Sequence, residues 1–206
     1  MISSRIGHAL DPLILRVYHF FFRDKLISPN ILSVLGFVFG LASLFLIIYG
    51  RLLLGGLALV VSGFFDVLDG AVARTFGRVT PYGGFLDSVL DRYTDLGVTF
   101  GILLYFVRAH DDIYSALTFI AAAGTAIIPY IRARAEAAAI ECKSGLLERP
   151  ERTILLIVGL CFDVLRPVII ILAVLTHFTA VQRMFMVRRA ARSPKQGQGS
   201  RGTGQG

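Results

Sequence analysis

Apolar residues gather in six blocks along this chain, at 31–49, 52–74, 85–107, 113–131, 153–165 and 167–186, separated by short polar stretches. A bilayer's hydrocarbon core is about 30 Å thick and takes about 20 helical residues to cross. Five blocks approach that length. The fifth, 153–165, rises only about 20 Å as a helix, and its N-terminal end is expected to continue into a water-filled cavity through Glu148 to Arg152. Between the blocks stand turn signals. Ser28-Pro29-Asn30 opens the first, Arg51 and Gly55-Gly56 mark a turn before the second, and 75–84 reads as a loop carrying Arg78, Thr80, Pro81 and Gly83-Gly84. The fourth block stays helical past the membrane through Arg132, Arg134 and Glu136, and 137–152 is the longest internal polar segment. Gly36 and Gly40 form a G-x3-G pair that permits close helix packing.

Ahead of the first block, Leu10, Leu13, Ile14, Val17, Tyr18 and Phe21 recur near helical spacing, flanked by Arg5, Arg16, Arg23 and Lys25. This predicts an amphipathic helix on the membrane surface, with a packed soluble helix as the alternative. From Ser193 onward the chain is rich in Gly and Gln and reads as a disordered tail. The expected fold is an all-α integral membrane protein: six transmembrane helices preceded by an amphipathic interfacial helix. Its parts are an N-terminal segment 1–28, a six-helix membrane domain 29–190 and a tail 191–206.

Composition supports this and adds orientation. Hydrophobic residues make up 55% of the 206 and charged residues 17%, and mean hydropathy is +0.69, which excludes an ordinary soluble domain. The net charge of +7 suggests nucleic acid until its placement is considered. With six crossings both termini share one side. Only Arg51, Arg108 and Arg166 fall on the other side, and the remaining Lys and Arg residues cluster with the termini. By the positive-inside rule the termini are cytoplasmic, in the cell (inner) membrane. No nucleic-acid partner is expected. Cys142 and Cys161 make no disulfide framework; Cys161 is expected in a lipid-facing or packed segment. No basic region followed by an apolar core and a small-residue cleavage site opens the chain, so no cleavable signal peptide is expected.

Four carboxylates interrupt the apolar blocks: Asp66 and Asp69 near the end of the second, Asp87 and Asp91 near the start of the third. An Asp at membrane depth costs roughly 2.5–3.5 kcal/mol on insertion scales, so four together call for cations. Residues three or four apart share a helix face. An end and the following start lie on the same side of the membrane, so the two pairs can meet. Oxygen-only donors suit hard divalent cations such as Mg2+ or Mn2+, and the absence of Cys and His here argues against zinc. Gly70 and Ala73 leave room beside the aspartates, and Arg74 supplies a fork suited to phosphate. Together these read as a site for a phosphate-bearing nucleotide. A structural network of buried aspartates and arginines is the bland alternative.

Written out, Asp66 to Asp91 is D-x2-D-G-x2-A-R-x8-G-x3-D-x3-D. It resembles the signature of the CDP-alcohol phosphotransferase (CDP-alcohol phosphatidyltransferase) family, and every specified position matches. The resemblance implies transfer of a phosphoalcohol from a CDP-alcohol to a hydroxyl, with release of CMP. It implies two divalent ions, Mg2+ or Mn2+, held by Asp66, Asp69, Asp87 and Asp91, with Asp91 as general base. It implies nucleotide contacts from Pro29, Asn30, Ile31, Leu32, Gly70, Arg74 and Thr80, and a homodimer. The stretches Tyr130-Ile-Arg132-Ala-Arg134-Ala-Glu136 and Gly145-Leu-Leu-Glu148-Arg149-Pro-Glu151-Arg152 look like the phosphatidylinositol phosphate synthase branch. There basic side chains bind the phosphate of inositol 1-phosphate, and Arg132, Arg152 and Arg183 are the candidates here. Pro129 departs from that branch, which usually carries a small hydroxyl residue at this position. Glycerol 3-phosphate is the rival acceptor. From other classes, a cation transporter would need acidic groups near mid-membrane with access from both sides, and a non-catalytic scaffold would not need the full aspartate set.

Overall fold

The structure is a computed structural model that describes residues 28–140 and 145–192. The expected surface helix before residue 28, Cys142 and the tail from Ser193 lie outside the described residues. Six helices form the rest: α1 Pro29–Ile48, α2 Leu52–Thr75, α3 Pro81–Arg108, α4 Asp112–Ala137, α5 Arg149–Cys161 and α6 Leu165–Arg192.

Four of them, α1, α2, α4 and α6, are long and apolar enough to cross a membrane. In α3, Asp87, Asp91, Arg92 and Asp95 fill the first half with charge, and α5 has only 13 residues. Many large side chains face outward, among them Phe45, Leu53, Phe119 and Val174. In water these would form apolar patches far beyond what a soluble surface carries; against lipid they are the solvated face.

Several boundaries differ from the sequence expectation, each for a local reason. The turn after α1 is Tyr49-Gly50-Arg51, with Gly50 at φ +74. Gly55 and Gly56 are not part of it; they lie inside α2, where the Ile47 side chain and the Cys161 sulfur occupy the space a Cβ would need. Cys161 is therefore a half-buried packing residue. Helix α3 begins at Pro81 rather than after 84. Thr80 caps it, its hydroxyl accepting from the Gly83 N–H at 3.0 Å, and Pro81 takes the first turn, where its missing N–H costs nothing. Helix α5 runs 149–161 rather than 153–165, because Pro150 starts it early. A turn with Asp163 at φ 57 follows, and α6 then begins at Leu165, two residues before Pro167, and extends to Arg192.

The principal helix contacts close a ring: α1 packs on α2 and α3, α2 on α5, α5 on α6, α6 on α4, and α4 on α3. Small residues set the close approaches. A Cβ on Gly36 would lie 3.2 Å from the Ser62 carbonyl oxygen on α2, and one on Gly40 2.6 Å from Thr94 Cγ2 on α3. The G-x3-G pair thus serves two different neighbours. The main apolar core joins Ile47, Leu59, Val98, Ile102, Phe106, Leu160, Ile169 and Leu172. Leu32, Leu68 and Val72 form a smaller one between α1 and α2, nearer the aspartates. At the far end, Arg108 donates to the Ile48 carbonyl at 2.8 Å and Arg166 pairs with Asp111 at 2.9 Å.

Candidate active site

The ring brings one end of every helix to one place: the start of α1, the end of α2, the start of α3, the later part of α4, the start of α5 and the later part of α6. That end holds the buried charged side chains Asp69, Arg152 and Arg183.

The two aspartate pairs meet there, and all four aspartates line one small cavity with Ser33, Thr94 and Arg149. One carboxylate oxygen from each of Asp66, Asp69 and Asp87 lies within 4.8 Å of the others. Oxygen donors this close, with no nitrogen or sulfur ligand among them, fit a hard divalent cation. Asp69 is 5% exposed, and its Oδ2 accepts from the Ser33 hydroxyl at 2.5 Å. A hydroxyl on a ligating carboxylate holds one lone pair and aims the others. Asp91 is outside the three-carboxylate group. It forms an ion pair with Arg149 Nη2 at 2.6 Å, while Arg149 Nη1 donates to Asp66 at 2.7 Å and Arg149 Nε lies 3.5 Å from Asp95.

Beside the carboxylates is a cavity of about 190 Å3 between α1, α2 and α3. Pro29, Asn30, Gly70, Arg74 and Thr80 line it, with Asp69, Asp87, Arg78 and Gly83. A Cβ on Gly70 would sit 3.0 Å from the Arg74 guanidinium, so the glycine lets Arg74 fold back over its own helix. Five of the seven expected nucleotide contacts are thus gathered. The other two are placed elsewhere: Ile31 points outward, and Leu32 is fully buried in the small core.

A second opening of about 260 Å3 runs between α2 and α5. Asp66, Asp95 and Arg149 stand in its lining, which is otherwise mostly apolar: Leu59, Val60, Val67, Val98, Ile154 and Leu156. Val60, Val67 and Ile154 are also exposed on the outer surface, so the groove joins the carboxylates to the lipid-facing side.

The three arginines proposed for the acceptor separate into two places. Arg152 and Arg183 are each 4% exposed. The segment 145–147 links them: Arg152 Nη1 lies 3.5 Å from the Leu147 carbonyl, a Cβ on Gly145 would meet Arg183 Nε at 2.8 Å, and Gln182 accepts from the Leu146 N–H at 3.1 Å. Arg183 also donates to the Ile128 carbonyl at 3.3 Å, beside Pro129. Arg132, by contrast, is 60% exposed, pairs with Glu136 at 2.8 Å, and lines a cleft between α3 and α4 with Phe85, Arg92 and Tyr130.

Three residues of this site were not singled out from the sequence. Asp95 continues the i,i+4 stripe of Asp87 and Asp91 one step further, a signal present in the chain but beyond the end of the motif. Arg149 stood in the polar segment and in the stretch Gly145 to Arg152 that resembles the synthase branch, with no role of its own assigned. Ser33 carried no signal, since its partner is 36 positions away.

Comparison with known proteins agrees with this geometry. A sequence model described as CDP-alcohol phosphatidyltransferase matches residues 26–187. An archaetidylinositol phosphate synthase of Methanothermobacter thermautotrophicus is 39% identical over 175 residues, 80% of this chain and 85% of that one. A phosphatidylinositol phosphate synthase of Mycobacteroides abscessus is 34% identical over 171 residues, 78% of this chain and 77% of that one. Among solved structures, Mycobacterium tuberculosis phosphatidylinositol phosphate synthase with CDP-DAG bound superposes with TM-score 0.74 at 31% identity, covering 93% of this chain and 96% of that chain. The same enzyme with manganese and citrate gives TM-score 0.74 over 94% and 90% of the two chains. The carboxylate cluster has the donor set of a divalent-metal site, and the second of these neighbouring structures is a manganese complex. With the signature intact and the match running almost from one end of the described helices to the other, this chain belongs to the CDP-alcohol phosphatidyltransferase family, and it is a membrane-embedded transferase.

Proposed function

We propose that this protein moves a phosphatidyl group from CDP-diacylglycerol to a hydroxyl of inositol 1-phosphate and releases CMP. The observation that carries the proposal is the contact between two features: the triad Asp66, Asp69 and Asp87, and the cavity lined by Pro29, Asn30, Gly70, Arg74 and Thr80. A cytidine diphosphate fits this arrangement, with its diphosphate at the carboxylates and Arg74. The lipid chains have a matching place in the α2–α5 groove, which starts at Asp66 and opens to lipid. For the acceptor, the relatives' names differ in their lipid part and agree in the inositol phosphate part. Arg152 and Arg183, buried beside the centre, suit a dianionic phosphate through charge and forked hydrogen bonds.

Asp66, Asp69, Asp87 and Asp91 would hold two Mg2+ or Mn2+ ions, which when bound supply charge stabilisation at the attacking and departing oxygens. Asp91 takes the proton of the acceptor hydroxyl as its oxygen bonds to the lipid-bearing phosphorus. The phosphorus–oxygen bond to CMP breaks, and the negative charge leaves with CMP. Arg149, between Asp66 and Asp91, holds both carboxylates in register during this exchange. The groove walls keep the reacting phosphorus at the mouth of the hydrocarbon, where bulk water does not compete with the acceptor.

We further propose the finer architecture: six crossings of a cell membrane within 29–190, an interfacial helix before them, a tail after 190, and the site and both termini in the cytoplasm. The charge asymmetry of the loops supports this orientation. A homodimer is proposed on the family resemblance. The test of function is CMP release by purified protein with CDP-diacylglycerol and Mg2+, offering inositol 1-phosphate, glycerol 3-phosphate and serine in parallel. Release with inositol 1-phosphate alone is expected. Release with glycerol 3-phosphate instead overturns the acceptor and keeps the transferase, and Pro129 would be the first residue to reconsider.

A further inference from the structure

Asp95 lies one helical turn past Asp91 on α3, and its side chain is 11% exposed. It faces three guanidiniums: Arg152 Nη2 at 3.1 Å, Arg149 Nε at 3.5 Å and Arg92 Nη1 at 3.5 Å. The distances separate their dependence on it. Arg149 has two shorter carboxylate partners, Asp66 and Asp91, at 2.7 and 2.6 Å. Arg92 is 37% exposed and partly hydrated. Arg152 is buried, and among the described residues Asp95 is the carboxylate that pairs with it. Its other contact is a long one to the Leu147 carbonyl, 3.5 Å, and its Nε has no hydrogen-bond partner among the described residues.

We propose that Asp95 is a positioning residue for acceptor recognition: it fixes the buried Arg152 guanidinium so that its unpartnered edge serves the phosphate of the acceptor. This rests on the reading of Arg152 as an acceptor contact. A guanidinium buried without a counter-ion is strongly unfavourable. Asp95 makes the burial tolerable and, by accepting at one Nη, sets the plane of the fork.

The test is steady-state CMP release by the full chain in lipid vesicles, with CDP-diacylglycerol and Mg2+ saturating and inositol 1-phosphate varied. Asp95→Asn keeps the shape and removes the charge. The acceptor KM is expected to rise about tenfold or more, the size of one charge-assisted hydrogen bond, with kcat and the separately titrated Mg2+ midpoint close to wild type. Asp95→Glu, which keeps the charge, recovers most of the acceptor KM. In a double-mutant cycle, Asp95→Asn/Arg152→Gln shows the same acceptor KM as Arg152→Gln alone. An unchanged acceptor KM in Asp95→Asn overturns the proposal. So does a fall in kcat with a shifted Mg2+ midpoint, which would put Asp95 at the metal site through Arg149. Where Asp95→Asn does not fold, the neutral double variant against Arg152→Gln decides: a further loss in the double overturns the proposal. Wild-type turnover on inositol 1-phosphate tests the underlying reading separately. If the wild type uses glycerol 3-phosphate, the series is run with that acceptor's phosphate instead.

Discussion

Replacing Ser33 by Ala removes one hydroxyl and little else. Ala is a better helix former than Ser, and Ser33 lies in the first turns of α1. The hydroxyl has one proton and two acceptors within reach, Asp69 Oδ2 at 2.5 Å and the Pro29 carbonyl at 3.3 Å; the shorter, charged acceptor takes it. A hydrogen bond to a charged group contributes about 1.5–3 kcal/mol, and about 1.4 kcal/mol is a factor of ten. Losing an outer partner of a metal-ligating group typically costs about 10–100-fold in metal affinity or activity. The two estimates agree. Asp69 belongs to the triad with Asp66 and Asp87, so the loss is expected in metal affinity. The assay is CMP release as a function of Mg2+ concentration. Ser33→Ala moves the midpoint upward about 10–100-fold, and saturating Mg2+ restores most of kcat. Ser33 also lines the nucleotide cavity, which gives the competing outcome: an unshifted Mg2+ midpoint with a raised CDP-diacylglycerol KM would refute the assignment of this hydroxyl to the metal site.

Asp87→Asn removes one of three clustered carboxylates; CMP release falls to background and Mn2+ binding, followed by electron paramagnetic resonance, weakens, whereas retained turnover defeats the metal-site reading. Arg149→Ala leaves Asp66, Asp91 and Asp95 facing one another without their shared cation. Breaking a buried pair costs about 3–5 kcal/mol, so melting in detergent drops by several degrees. Arg149→Lys restores only part, because one ammonium does not fork to Asp66 and Asp91 together. Gly40→Ala drives a methyl to 2.6 Å from Thr94 Cγ2, an overpacking of about 1–3 kcal/mol. Gly40→Ala/Thr94→Ala recovers most of it, and a double variant no more stable than the single one contradicts this contact.

The sequence disclosed what repeats locally. Asp66 and Asp69 share a face, as do Asp87 and Asp91, and the order of spans puts both pairs at one end. Helix limits were legible where capping residues stand at a change in hydropathy, as at Ser28-Pro29. They were misread where a polar or glycine-rich run belongs to a helix: Gly83-Gly84 sits inside α3 behind the Thr80 cap, and Arg149-Pro150-Glu151 opens α5. Contacts between distant segments left no periodic trace. Arg149 is 83 positions from Asp66, and nothing in the spacing of either predicts that one guanidinium joins them. Likewise the charge pattern placed Arg132, Arg152 and Arg183 on one side of the membrane, but which face of its helix each occupies depends on how α4, α5 and α6 pack.

Helix α5 has one more consequence. Its 13 residues rise about 20 Å in a layer about 30 Å deep, and it forms one wall of the groove beside Asp66. In the six-crossing arrangement proposed above, the lipid around this wall thins to meet it. Such hydrophobic mismatch carries an energetic cost that grows with each Å, so bilayer thickness acts on the mouth of the groove. Longer host-lipid chains deepen the dimple and raise the cost of presenting the donor headgroup to the carboxylates; shorter chains relieve it. On that arrangement, CMP release is expected to fall as the host-lipid chains lengthen, so that the membrane sets the rate as well as supplying the lipid donor.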